Sequence, residues 1–269
     1  MPNLYRLKEL TLFNFYYSLS SLKSLAFIIP YFLFWYLVFD NVMLLAVEWL
    51  QSTQGLIFVS WISQDEELAL RLFVDHSATL SIYLLISISL TPLFIIIAAN
   101  NQYSSDTTSG AFRFLLMRAT RGEIYLSRFI AVALLVLICI SITSLWASIQ
   151  ALFNEEDTFE AITLFGLQTF VVIFTYSLPF VAFMSMISSV ARSAFGSLFM
   201  GMMFYILLVI IIFWLRPDFN HIVYLIPSSL KPIIFEVSTK GTYIAIAATF
   251  IYTLVYFSCG WYIFKRKDL

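Results

Sequence analysis

The side chains with the clearest chemistry to offer lie between residues 112 and 123. Arg113, Arg118 and Arg121 alternate there with Phe112, Phe114, Leu116 and Met117, and Glu123 follows. At 3.6 residues per turn, Phe112, Leu115, Leu116 and Ala119 share one helix face, while Phe114 and Met117 project elsewhere among the arginines. One apolar face can rest on the body of the protein, leaving a basic and apolar face free. Such a helix suits docking onto a partner. It equally suits a membrane surface, where arginines meet anionic headgroups. The pattern alone leaves both open.

Other chemistry is sparse. No Gly-x-x-x-x-Gly-Lys run exists, so the chain has no phosphate-cradling loop of the P-loop kind and is not expected to hydrolyse ATP. His76 and His221 are the only histidines, and no His/Cys/acid cluster has metal-ligand spacing, so neither a bound metal nor a cofactor is expected. Cys139 and Cys259 fall in apolar runs and suggest no disulfide framework. A net charge of −1 argues against nucleic acid as a partner.

The elements that must position these residues are apolar. Hydrophobic residues make up 61% of the 269 and charged residues 12%. Six runs reach the roughly 20 residues that a helix needs to cross a bilayer. They lie near Leu25–Val47, Ala78–Ala99, Phe129–Leu152, Ile162–Met186, Ala194–Leu215 and Thr242–Phe264. The expected fold is therefore all-α integral membrane, a single domain over residues 1–269. The first run is too long for a signal peptide and lacks a small-residue cleavage site, so it reads as a retained span.

An even number of spans places both termini on one side. Arg6, Lys8, Lys23, Arg113, Arg118, Arg121, Arg128, Arg192, Lys265, Arg266 and Lys267 fall on that side, against Arg71, Arg216, Lys231 and Lys240 on the other. This bias makes the termini cytoplasmic. Asp40 is the one acid well inside a span, near its outer end, where it can snorkel to the interface. The near-absence of intramembrane charge argues against an ion- or proton-driven carrier.

Residues 1–24 mix Arg6, Lys8 and Glu9 with leucines and aromatics, which predicts an interfacial helix leading into the first span. Within the Glu48–His76 connection, Leu56–Ile62 is too short to cross, and Asp65-Glu66-Glu67 reads as a solvated acidic face. Residues 216–241 contain Pro217, Pro227 and Pro232, so a re-entrant or interfacial hairpin before span six is plausible, with a plain outer loop as the alternative. Ser193, Ser197 and Gly201, and likewise Gly241, Ala245 and Thr249, recur every fourth residue and offer close helix packing, within one chain or between two.

Three stretches together resemble a known family. Leu7-Lys8-Glu9-Leu10 with Ser20-Ser21-Leu22-Lys23-Ser24 is similar to the amphipathic leading segment of ATP-binding-cassette permeases of the type 2 exporter class. Ser109-Gly110-Ala111-Phe112-Arg113-Phe114-Leu115-Leu116 followed by Arg121-Gly122-Glu123-Ile124-Tyr125-Leu126-Ser127-Arg128 resembles that family's link between spans two and three. Phe264-Lys265-Arg266-Lys267-Asp268 is similar to its basic ending. Thr108 and Ser109 stand where the family often has an acid, and Ala119 where it often has proline. Size looks most like the NosY-type permeases.

The resemblance implies a permease pairing with a second copy of itself in the inner membrane of a prokaryote. Two copies of a separate ATPase subunit, holding ATP and Mg, would dock beneath the pair. It implies a coupling helix within residues 100–128. The contact would fall to Phe112, Arg113, Phe114, Leu116, Met117, Arg118, Arg121 and Glu123, with Phe114 and Met117 as apolar anchors. An alternative function is a membrane scaffold that anchors an ATPase-driven assembly without bulk transport.

Overall fold

The computed structural model describes residues 4–20, 22–50, 52, 54, 55, 57, 72, 76–104, 110–155, 158–215, 220–237 and 239–267. The acidic run Asp65-Glu66-Glu67, most of Leu56–Ile62, Ser105–Ser109, Arg216, Pro217 and Asp268 lie outside them.

The described residues are mostly helical, with no strand among them. An N-terminal helix, Leu4–Ser20, is followed by Leu22–Leu37, a π-turn Val38–Val42 and Met43–Leu50, which together form the first span. The remaining spans are Ala78–Ala98, Arg121–Asn154, Phe159–Val190, Ala194–Leu215 and Thr239–Arg266. Six helices among the described residues are thus long and apolar enough to cross a membrane, the composition of a multi-pass membrane protein.

Helix ends follow local chemistry. Ser77 and Thr158 cap the second and fourth spans through their side chains, and the Glu155 carboxylate accepts from the Thr79 amide at 2.8 Å. The third span begins at Arg121 rather than near Phe129. Thr120 and Glu123 form a capping box there, with Thr120 N donating to Glu123 Oε2 at 2.9 Å and Glu123 N to Thr120 Oγ1 at 3.3 Å. At 34 residues this helix is about 50 Å long, well beyond the roughly 30 Å of hydrocarbon, so its first turns stand outside the apolar layer.

The first apolar run is interrupted by Asp40 and Asn41. The helix answers with a π-turn there: Asn41 Nδ2 donates to the Leu37 carbonyl at 3.3 Å, and Asp40 is exposed. Pro30, Pro92 and Pro179 lie inside helices. Beside two of them, hydroxyls turn back to carbonyls of the preceding turn, Thr91 to Ser87 at 2.7 Å and Thr175 to Val171 at 2.8 Å.

The second and fourth spans form the interior, with 67% of the apolar stretch of each buried, against 11% for the fifth. At the centre, the Tyr83 ring packs on Trp35 at 4.8 Å and on Phe39 at 6.1 Å. The hydroxyls of Tyr83 and Tyr31 both meet Thr143 Oγ1, at 2.9 and 3.2 Å. One polar side chain thus serves two phenols where no water would reach them.

The small-residue stripes pack within the chain. Gly241, Ala245 and Thr249 are buried on the sixth span, whose main neighbour is the fourth. Ser197 is buried, and a Cβ on Gly201 would meet Met184 and Ile96. Ser193 is exposed and acts at the helix start instead, its hydroxyl accepting from Gly196 N at 3.0 Å.

Candidate functional site

The connection between the second and third spans is built from Gly110 onward. Gly110 sits at φ +69°, the left-handed region that glycine adopts without strain, and heads a short helix, Ala111–Leu116. The chain then turns through Met117–Ala119 into the capping box at Thr120. The helix therefore stops short of Ala119, which the pattern placed on one helical face with Phe112. Thr120 is committed to starting the third span and ends it.

Phe112 and Ala119 are buried, and Leu115 and Leu116 are half-buried. Phe112 meets Phe264 near the end of the sixth span edge-on at 5.5 Å. The Arg128 guanidinium lies over the Phe112 ring at 4.8 Å and over Tyr103 at 5.7 Å, and donates to the Gln102 carbonyl. Tyr103 stacks on Tyr125 at 5.1 Å and donates its hydroxyl to the Tyr125 carbonyl at 2.8 Å. Burial first, then Tyr125 beside it, raises the Tyr103 phenol well above its ordinary pKa, so it stays a donor. The Tyr103 amide donates to Ser188 Oγ at 3.0 Å, tying the connection to the fourth span.

The docking residues expected from the sequence divide into two groups. Phe114 and Met117 are 71% and 73% exposed, flanked by exposed Arg113 and Arg118. Phe112, Leu116, Arg121 and Glu123 are turned toward the protein. Glu123 is 2% exposed and spent in the capping box. Arg121 Nη1 caps the end of the sixth span, donating to the carbonyls of Lys265 and Lys267 at 2.7 Å each and of Phe264 at 3.4 Å. Lys267 Nζ in turn donates to the Ser189 carbonyl at 2.7 Å; burial, and then Arg192, lower its pKa.

Arg121→Ala should accordingly loosen the end of the sixth span. The expected cost is about 1–2 kcal/mol, the lower range for hydrogen bonds from a charged donor at a half-exposed site. Amides of residues 260–267 should exchange faster, while those at the second span's start are unchanged.

Sequence reasoning gave no special role to Tyr103, Tyr125 or Gly260. Their partners are 85, 135 and 74 residues away in the cases of Ser188, Gly260 and Met186 respectively, so no local spacing signals them. Arg128 and Phe264 were visible only as parts of basic motifs.

On the N-terminal helix, Arg6, Lys8 and Glu9 are exposed, while Thr11 is buried and bonds to the Leu7 carbonyl at 2.8 Å. The helix lies along the start of the third span, and Asn14 Nδ2 donates to Ser127 Oγ at 3.2 Å.

The family model described as Protein of unknown function (DUF2705) matches residues 54–269. The chain belongs to that family. The match takes in the whole connection and the five spans from Ala78 onward, and leaves out the N-terminal helix and the first span. No curated protein matches the chain.

Proposed function

We propose that the protein is the transmembrane permease subunit of an ATP-driven exporter in the inner membrane of a prokaryote. A separate ATPase subunit, in two copies, would hold ATP and Mg and dock on the Ala111–Leu116 helix. A second copy of the permease and lipid would cover the fifth span. The observation that carries the reading is the exposure of Phe114 and Met117, ringed by Arg113 and Arg118, on a helix whose other face is anchored by Phe112. Two large apolar side chains at the centre of a basic rim have the anatomy of an interface anchor.

Orientation rests on the Lys/Arg excess at the end carrying the N-terminal helix and the connection, which makes that end and both termini cytoplasmic. The exposed Leu4, Tyr5, Phe13, Tyr16 and Tyr17 support an interfacial role for the N-terminal helix. A re-entrant hairpin is supported by contacts of the Asn220–Leu230 turns. Tyr252 donates to the Tyr224 carbonyl and Tyr256 to that of Leu225 at 3.0 Å, while Tyr205 pairs with Ser228 at 2.8 Å. Tyr252 stands about 20 Å along the sixth helix from Thr239, at 1.5 Å per residue, near mid-depth of a span.

Mechanically, a push on the Ala111–Leu116 helix reaches three spans. Phe112 passes it to Phe264 on the sixth, Arg128 to the third, and the Tyr103–Ser188 bond to the fourth. Export would use these paths to favour one arrangement of the spans when ATP is bound.

Co-expression with the partner ATPase tests the reading. The wild-type chain should co-purify with it and stimulate its ATP hydrolysis. Phe114→Asp with Arg118→Glu should abolish co-purification while leaving the solubilised permease's elution and melting unchanged, because both side chains are exposed. Retained assembly and stimulation in that variant would remove the assignment.

A further inference from the structure

The first span has two distinct sides. Phe27, Tyr31, Trp35 and Val38 are buried against the bundle. On the opposite side Ile29, Leu33 and Tyr36 are 60%, 54% and 56% exposed, and Asp40 follows them, also exposed. Intervals of four, three and four residues keep these on one face. Lipid is sufficient cover for isoleucine and leucine, but not for a carboxylate. Asp40 stands sixteen residues beyond Ser24, about 24 Å along the helix and so inside the roughly 30 Å of hydrocarbon.

An ionisable group inside a span normally pairs with another polar group and marks a functional position. Neither the Asp40 carboxyl nor the Tyr36 phenol has a hydrogen-bond partner among the described residues. The two lie one turn apart, and the π-turn Val38–Val42 begins between them; such turns recur at functional positions. The phenol offers a donor and the carboxylate an acceptor. A donor and an acceptor side by side on one face are complementary to themselves. Across a two-fold axis each donor meets the other copy's acceptor, as a symmetric contact requires. Copies of one chain cross the membrane in the same direction, so the two helices run parallel and set these residues at equal depth.

We propose that the exposed face of the first span is where a second copy of this chain docks, the Tyr36 hydroxyl of each donating to the partner's Asp40. Ile29 and Leu33 would pack against the same face of the partner on the Ser24 side of that polar pair. The proposal rests on the pairing of two copies named under the proposed function, and not on ATP-driven export. The fifth span can border the same contact, because both spans pack on the second. Tyr31 and Phe34 meet Phe94 at 5.1 and 5.4 Å, and Gly201 backs onto Ile96.

Disulfide cross-linking of the full chain in its native membrane tests this, in a Cys259→Ser background, since Cys139 is buried. On oxidation, Ile29→Cys and Leu33→Cys should give a product of twice the chain mass. Leu145→Cys, 64% exposed on the third span, should not. For the chain in detergent, Tyr36→Phe and Asp40→Leu should each raise the dimer's dissociation constant about tenfold, the value of two interhelical hydrogen bonds in a membrane. The double variant should lose no more than either alone, because both remove the same bonds. Asp40→Asn keeps an acceptor and should stay within about twofold of wild type. If Asp40 merely reaches the headgroups, Asp40→Leu will leave cross-linking and dissociation unchanged, and the proposal falls. It falls equally if Leu145→Cys cross-links as readily as Leu33→Cys, or if the product carries the mass of a different protein. A dimer that cross-links through Ile210→Cys on the fifth span, and not through Leu33→Cys, would keep the pairing of two permeases and remove this face. A chain that is monomeric throughout would remove both.

Discussion

Gly260→Leu should detach the sixth span from the bundle, lowering stability by about 3 kcal/mol or more, at the upper end for forcing extra carbons into a packed core. A Cβ at Gly260 would meet the Tyr125 hydroxyl and stand 2.9 Å from the Met186 Cα. The second contact is backbone, so Met186 cannot simply rotate away. Gly201 makes the contrast: its added Cβ would meet the Met184 Sδ at 2.6 Å, the far end of a flexible side chain. Gly201→Ala should therefore cost within about 1 kcal/mol. Thermal unfolding followed by size-exclusion chromatography of detergent-solubilised protein separates the two. Tyr125→Phe provides an internal control. The Tyr125 hydroxyl has no hydrogen-bond partner among the described residues, so its removal should be nearly neutral alone and should partly relieve Gly260→Ala. Equal losses at Gly201 and Gly260 would contradict this packing.

The contrast marks what local pattern can convey. Gly201 belongs to a visible every-fourth-residue stripe, whereas Gly260 stands alone among aromatics, and its importance comes from the third and fourth spans. The six spans were legible because hydrocarbon thickness sets the length of an apolar helix, a local property. Their ends were less so. Arg121-Gly122-Glu123 is polar enough to read as loop, yet Thr120 and Glu123 satisfy each other's amides and start the helix there. The same limit divides the candidate site. Spacing separated Phe112 and Ala119 from Phe114 and Met117, a distinction that needs only 3.6 residues per turn. Spacing also set Arg121 beside Arg118, but Arg121 takes its partners from Phe264–Lys267, over 140 residues away. Helix-end carbonyls attract a cation wherever tertiary structure brings one, and no sequence periodicity reports that.

Arg128→Met should lower stability by about 2–4 kcal/mol. The wild-type guanidinium is 8% exposed, donates to the Gln102 carbonyl and covers two rings. A hydrogen bond from a charged group contributes about 1.5–3 kcal/mol, and a desolvated cation–π contact about 1–2. Methionine keeps much of the volume but neither interaction. Arg128→Lys keeps the charge without the planar stack, so it should recover less than half of the loss. The more telling result is functional. Arg128 fastens the Phe112 side of the short helix to the third span but contributes nothing to the exposed Phe114–Met117 face. Under the proposed export function, at a temperature where Arg128→Met remains folded, a partner ATPase should still co-purify, while its stimulation by this chain falls about tenfold, the effect of roughly 1.4 kcal/mol of lost coupling. Phe114→Asp with Arg118→Glu should do the reverse and prevent assembly without loss of stability. If Arg128→Met instead reduced stability yet left stimulation at the wild-type level, force would have to reach the spans by another path. The contact of Phe112 with Phe264 would then be the first to examine, since it joins the same helix to the sixth span without passing through the guanidinium.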